Sequence, residues 1–318
     1  MRRLAVQIKI RTLQETEIPE ANRIFKLAFG TFIGLPNPLE FYGDADLITH
    51  RWKIDPSAVF AAEIDRKLVG TNIACCWGSI GYFGPLSVHP EYWNQGVAQK
   101  LIAAVMSKFE QWDIKQAVLF TFAESSKHHV LYQKFGFYPR FLTFIMAKSI
   151  QETSEKLAYS QYSQIEPELR RQSLIACLEM THEIYPGLDV SSEIISVYEQ
   201  NLGDTVLLWE DNQLVGFAVC HCGANTEAGS NDCYIKFAAV KPGIKVAENF
   251  DKLLMCCEKF TAKQKLTRLV AGINTSHEQA YKIMFSQQFR TELTGVAMHK
   301  PNLENYNRAD IFVLDNWR

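Results

Sequence analysis

Leu86-Ser87-Val88-His89-Pro90-Glu91-Tyr92-Trp93-Asn94-Gln95-Gly96-Val97-Ala98-Gln99-Lys100-Leu101 reads as a strand, a tight turn with one glycine, and the opening of an amphipathic helix. Beyond the turn, Ala98, Leu101, Ile102, Val105, Phe109 and Trp112 recur at spacings of three and four and form one apolar stripe. The helix therefore begins near Gly96. The first amides of a helix have no intrahelical acceptor and carry the positive end of the helix dipole behind them, so this turn is suited to phosphate. Gly96 and Ala98 are small enough to let a diphosphate approach the backbone closely. Taken alone, a glycine ahead of a helix is more often an ordinary turn. The residues downstream decide the matter.

Residues 117–122 form a second apolar strand, and the polar turn Glu124-Ser125-Ser126 after it suits N-capping. A short helix follows with His128, Leu131, Tyr132 and Phe135 on one stripe, ended by Gly136 as a left-handed cap. An aromatic strand over 137–146 closes the unit.

This order resembles the GNAT superfamily of N-acetyltransferases over residues 4–150. The resemblance rests on Leu86-Ser87-Val88-His89-Pro90, Gly96-Val97-Ala98, Leu101 and Leu131-Tyr132-Gln133-Lys134-Phe135-Gly136-Phe137. It implies acetyl-CoA as cofactor and coenzyme A as product. In that family two adjacent strands splay apart and the pantetheine arm pairs with the exposed edge. The resemblance thus assigns pantetheine and the thioester oxygen to the backbone of Leu86, Ser87 and Val88, and the diphosphate to Asn94, Gln95, Gly96, Val97, Ala98 and Gln99. Tyr132 matches the family's usual proton donor to the coenzyme sulfur; read from its neighbours alone, it is a core aromatic beside Leu131 and Phe135. Two positions depart from the pattern. Trp93 stands where the family has Gln or Arg, and Ser125, a further cofactor contact by position, stands near where the family often has Asn.

With 318 residues the chain is long for one compact domain and comfortable for two. Its 47% hydrophobic and 21% charged residues are those of an ordinary soluble globular protein. A net charge of −2 argues against a nucleic-acid surface, which needs a basic patch. The apolar run at 4–10 after Met1-Arg2-Arg3 is too short and mixed for a signal peptide, and no stretch reaches membrane-spanning length. The expectation is a cytoplasmic protein that engages neither nucleic acid nor membrane. The cysteines at 75, 76, 220, 222, 233, 256 and 257 lie in or beside apolar segments and read as reduced core thiols. Cys220-His221-Cys222 with Cys233 lacks the paired spacing of a zinc site, so no metal is expected.

In chain order, residues 7–11 read as a first strand and 18–29 as an amphipathic helix. The aromatic, Gly- and Pro-rich stretch 30–56 is either a wall of the acceptor pocket or a structural cover. Residues 58–64 and 68–77 form a hairpin around Asp65-Arg66. The second half then repeats the first. Asp65-Arg66-Lys67-Leu68-Val69-Gly70 recurs as Asp211-Asn212-Gln213-Leu214-Val215-Gly216, and Val88-His89-Pro90 as Val240-Lys241-Pro242. Keeping the second offset, Leu101 meets Leu253, Phe137 meets Phe289, and Met146 and Lys148 meet Met298 and Lys300. The second copy is longer by about six residues in the Gly/Asn/Ser-rich segment 223–232, a loop insertion by composition. The expected architecture is α/β (α+β): two tandem GNAT-like domains, 1–150 and 151–318, joined by the polar segment 149–160. Each is a mixed, mostly antiparallel twisted sheet flanked by helices, and residues 309–314 supply a last strand.

The copies differ in chemistry. Gly96 is matched by Glu248, Ala98 by Phe250 and Tyr132 by Met284. A carboxylate repels diphosphate, a phenyl ring blocks approach to the backbone, and a thioether has no proton to give. The first copy is therefore the expected catalytic, acetyl-CoA-binding domain and the second a degenerate one. Acetyl transfer needs a neutral amine, donors for the oxyanion and a proton for the departing thiolate. No carboxylate lies in 80–89, so the general base is unassigned among Tyr82, Glu124 and His89 as members of a water relay. The leading reading is an acetyl-CoA-dependent N-acetyltransferase acting by direct transfer on a small-molecule or peptide amine. The rival is a non-catalytic acyl-CoA-binding regulatory module. Either a monomer or a homodimer fits the sequence.

Overall fold

The computed structural model describes residues 7–150 and 158–317. The expectations that fall on residues 1–6, on 151–157 of the joining segment and on residue 318 lie outside the described residues. The first half runs β1 (Lys9–Thr12), α1 (Ile18–Phe32), α2 (Ile48–Ile54), β2 (Val59–Ile64), β3 (Lys67–Trp77), β4 (Ile80–Phe83), β5 (Ser87–Val88), α3 (Val97–Gln111), β6 (Gln116–Phe122), α4 (Ser126–Gln133) and β7 (Tyr138–Ser149). The second runs β8 (Ser160–Gln161), α5 (Pro167–Ile184), α6 (Ser191–Glu199), β9 (Gly203–Glu210), β10 (Gln213–Gly223), β11 (Gly229–Val240), α7 (Val246–Lys263), β12 (Arg268–Asn274), α8 (Glu278–Ser286), β13 (Arg290–Lys300) and β14 (Val313–Leu314).

Local chemistry explains the repeated hairpins. Asp65 and Arg66 have φ of 49° and 63°, and Asp211 and Asn212 have 48° and 62°. Two successive positive φ values are the hairpin turn whose twist matches that of its strands. Helix α3 buries Val97, Leu101, Ile102, Val105 and Phe109, so the apolar stripe lies against the sheet. In the second half α7 buries Phe250, Leu253, Leu254, Cys257 and Phe260 in the same way.

One mixed, mostly antiparallel sheet runs through the chain in the order β1-β2-β3-β4-β6-β13-β7-β12-β11-β10-β9-β8. The halves exchange their last strands. β13 pairs with β6 (Ala117↔Lys300, Phe122↔Gly295), and β7 pairs with β12 (Leu269↔Lys148, Asn274↔Thr143). Moved by the offset that carries Val88 to Val240, one set of pairs becomes the other. β7 and β13 also pair with each other along their length. The core at this junction draws Trp77 and Tyr82 from the first half together with Phe217, Phe237, Tyr306 and Trp317 from the second.

Two sequence expectations are corrected in detail. The insertion at 223–232 is half strand and half loop: Gly223 and residues 229–232 extend β10 and β11 as a hairpin to the pair Gly223↔Gly229, and 224–228 form its tip. The ladder satisfies the backbone of the strand part, and the tip docks on the first half. Asp46 N–H donates to the Thr226 carbonyl at 3.0 Å, and Glu227 forms a bidentate pair with Arg51 at 2.8 Å. The last strand contracts from 309–314 to Val313–Leu314. All eight cysteines are free thiols, with Cys222 and Cys233 Sγ 3.7 Å apart, and no metal-ligating cluster occurs among the described residues. No helix described is long and apolar enough to cross a membrane.

The strand exchange makes a test. Residues 1–150 expressed alone leave the β6 edge and both edges of β7 without the partners they have in the full chain, a template for association. Light scattering after size exclusion is expected to show dimers or aggregates, and a well-folded monomer would contradict the expectation. The buried pair makes another: Glu227→Ala strands Arg51 and Lys236 without their carboxylate. Denaturant unfolding is expected to report a loss of about 3–5 kcal/mol.

Candidate active site

Strands β4 and β6 are parallel and paired only at Ile80↔Gln116, Gly81↔Ala117 and Tyr82↔Val118. Beyond Tyr82 they part. The chain turns at Gly84, where φ is 148°, and β5 stays on β3 through Gly70↔Val88 and Thr71↔Ser87. Between the parted strands opens a cavity of about 680 Å³, the size of an ordinary small-molecule site.

One end of this cavity is the glycine turn. Gly96 is the N-cap of α3 with φ of 86°, in the left-handed region, and no side chain caps the helix. A Cβ at Gly96 would meet only Gln99 Oε1, at 3.3 Å, so conformation rather than space calls for glycine here. Among the described residues no acceptor satisfies the amides of Val97, Ala98 and Gln99. These free amides at a helix N-terminus fit a diphosphate. Trp93 acts as a staple: its Nε1–H donates to the Val88 carbonyl at 2.7 Å. Lys127 Nζ lies 5.4 Å over the Trp93 ring, which brings a cation next to the position where the family carries Gln or Arg.

At the fork itself stand Phe83 and Tyr132, with ring centroids 5.9 Å apart. Tyr132 is 8% exposed, faces the cavity, and its hydroxyl has no hydrogen-bond partner among the described residues. Burial raises its pKa above the ordinary tyrosine value, so the hydroxyl keeps its proton near neutral pH. The cavity also takes in Leu86, Val88, Asn94, Gly96, Val97, Ala98 and Gln99. Ser87 is fully buried and not among the lining residues, and exposed Gln95 donates from Nε2 to the Glu91 carbonyl at 2.9 Å. Ser125 is the N-cap of α4 but its hydroxyl makes no cap hydrogen bond, and it lies outside the lining.

The relay candidates are spread apart. Tyr82 is fully buried, its hydroxyl donating to Glu193 Oε1 at 3.0 Å. Glu124 is exposed, and His89 Nδ1 accepts from the Glu91 N–H. Several lining side chains had no site role in the sequence reading, among them Phe83, Lys127, His128, and Leu293 and Trp317 from the second half. Burial lowers the His128 pKa, so its imidazole is neutral near pH 7. The stripe of α4 marks His128, one turn before Tyr132; nothing in the sequence marks Trp317.

The second half has the same fork with a different occupant. β11 and β12 pair in parallel at Asp232↔Arg268, Cys233↔Leu269 and Tyr234↔Val270, the offset counterparts of the first fork. There β14 fills the opening, pairing through Ala238↔Leu314 and Ala239↔Val313. Those partners correspond to Leu86 and Ser87. Phe312 packs on Phe250 with centroids 5.5 Å apart, and Asn316 lies so close to Gly272 that a Cβ there would approach its side chain within 2.3 Å. Glu248 is exposed in the first turn of α7 and paired with Lys252 at 2.6 Å.

Residues 55–139 match the family model described as "Acetyltransferase (GNAT) domain". A Pyrococcus horikoshii protein assigned as an acetyltransferase superposes with a TM-score of 0.69 at 14% identity, covering 100% of this chain and 98% of its own. A GCN5-related N-acetyltransferase from Sphaerobacter thermophilus gives 0.62 at 12% identity, with 92% and 95% covered. One from Anabaena variabilis gives 0.51 at 14%, with 92% and 72% covered. No curated protein matches the chain in sequence.

The segment that fills the second fork carries its own titration. Burial raises the Asp315 carboxyl to about 7, partly offset by the Tyr306 hydroxyl that donates to it at 2.7 Å. A raised folded pKa means the native state binds the proton more tightly, so this stability is complete at acid pH and is lost as pH rises through about 7. Amide exchange in 311–317, corrected for base catalysis, is expected to speed up between about pH 5 and about pH 8. Asp315→Asn is expected to abolish that dependence.

Proposed function

With a tandem GNAT fold as premise, we propose that the chain is an acetyl-CoA-dependent N-acetyltransferase that transfers directly to an amine, using the fork of the first half. The observation that supports this reading is a contrast between equivalent positions. The first fork leaves helix amides and the Tyr132 hydroxyl unclaimed around one cavity, whereas the second fills the same place with Phe312, Val313 and Leu314.

When bound, acetyl-CoA supplies an activated thioester. The amides of Val97, Ala98 and Gln99 hold the diphosphate, with Lys127 adding charge nearby. The backbone of Leu86, Ser87 and Val88 offers the edge for the pantetheine arm. Tyr132 Oη holds a proton in an apolar wall, ready for the sulfur as it departs. Phe83 and Leu86 exclude water around the fork. The second half does not bind acetyl-CoA in this scheme; it completes the sheet and closes the cavity from behind with Leu293 and Trp317.

Tyr132→Phe removes one oxygen that has no protein partner, so folding is expected to be intact. Its kcat is expected to fall about 10²- to 10³-fold with acetyl-CoA affinity unchanged by calorimetry. Gly96→Glu, which installs the second half's carboxylate, is expected to weaken acetyl-CoA at least tenfold. Binding without turnover across a broad amine panel would instead make the protein a regulatory acyl-CoA-binding module. No binding at all would end both readings.

A further inference from the structure

The cavity beyond Tyr132 is an aromatic box. Phe29 and Phe41 stack at 5.4 Å, Phe25 lies 5.1 Å from Phe29, and Phe32 lies 5.3 Å from Phe122 and 4.8 Å from the His128 ring. These rings come from α1, the segment before α2, the end of β6 and α4, so the fold converges them by tertiary packing. Among the described residues no aspartate or glutamate lines the cavity, and its charged side chains are the cations Lys127 and Lys134. His128 is held neutral by burial.

Resting on the acetyltransferase reading, we infer that the acceptor is a monoamine carried on an aromatic skeleton, of the arylalkylamine type. Two physical terms support this class. A phenyl or indole ring entering the box buries apolar area against Phe29, Phe32 and Phe41 in tilted and stacked geometry. A second ammonium finds no carboxylate in the lining to pair with, which disfavours polyamines and basic peptides. The same lining answers the missing base. Desolvation on entering this apolar lining favours the amine that has lost its extra proton, so it arrives neutral. The transfer then forms the nitrogen–carbon bond as the carbon–sulfur bond breaks. One N–H proton leaves to water, and Tyr132 Oη gives one to sulfur and regains it from water.

The experiment uses the full chain and reads both binding and turnover. Phenethylamine and tryptamine are compared with ethylamine, spermidine and a lysine-containing dipeptide, each with acetyl-CoA and with octanoyl-CoA. The ring is expected to raise kcat/KM on the order of 10²-fold over ethylamine. Calorimetry in the presence of coenzyme A is expected to show tryptamine binding, weakened about tenfold by Phe32→Ala or Phe41→Ala while acetyl-CoA affinity holds. Both rings are only half-buried, so folding of the variants is expected and is checked by that unchanged affinity. Equal rates for aromatic and polar amines, or a preference for spermidine, would overturn the inference and leave the acetyltransferase reading standing. A tenfold preference for octanoyl-CoA with no ring effect would also overturn it and assign the box to the acyl chain. Failure to bind acetyl-CoA at all would overturn both.

Discussion

The exchange of β7 and β13 governs this structure. Each half builds a sheet whose inner edge, β6 or β12, is completed by the other half's last strand. A strand edge left open is a liability, and mutual completion removes two at once while pairing β7 with β13 in between. The consequence reaches the cavity. Because β13 lies against β6, Leu293 is carried into the wall of the first fork, and the chain beyond β13 returns through the second fork to deliver Trp317 to the same wall. The first-half cavity is thus a product of the whole chain.

Two equivalent forks with two fates follow from one requirement. Where parallel strands part, main-chain groups on the diverging edges lose their ladder partners and need others. In the second half β14 supplies them, and the changes to Phe250 and Met284, both fully buried, turn the former groove into core. Glu248 then sits harmlessly in solvent at a helix N-terminus, where a carboxylate is favourable. In the first half no described strand enters the fork, and the helix amides stay open beside the small residues Gly96 and Ala98.

Much of this was legible in the sequence, and the reasons are local. The Gly96 turn, the α3 stripe and the Asp65-Arg66 and Asp211-Asn212 turns each follow from a few neighbouring residues. The repeat was visible because a constant offset preserves the pattern between 88 and 148. The strand exchange was not legible, since β7 and β13 carry equivalent patterns and either partner satisfies them equally. For the same reason residues 309–314 read as a last strand without revealing which edge they cover. Lys127 and Trp317 reach the cavity only through tertiary packing, and the insertion at 223–232 read as loop because composition does not report that its ends pair.

The insertion also explains how a half without an open fork of its own bears on the other. Its Glu227 is bidentate to Arg51 and accepts from Lys236 at 2.7 Å, and Arg51 Nη1 donates to the carbonyl of Gly84 at 2.7 Å. Gly84 is where the first fork begins. The two cations flank the Tyr82 ring at 5.8 and 5.4 Å, and Glu193 Oε1 on α6 accepts hydrogen bonds from the Tyr82 hydroxyl and the Trp77 indole N–H, both at 3.0 Å. Arg51 and Lys236 against Glu227 and Glu193 leave the buried cluster formally neutral, a condition for tolerating charges out of water. Such a cluster adds little net stability but fixes geometry, because each member has one low-energy arrangement. The contact at Gly84 is therefore made by Arg51 of the first half, while the carboxylate that holds Arg51 in place, Glu227, comes from the second.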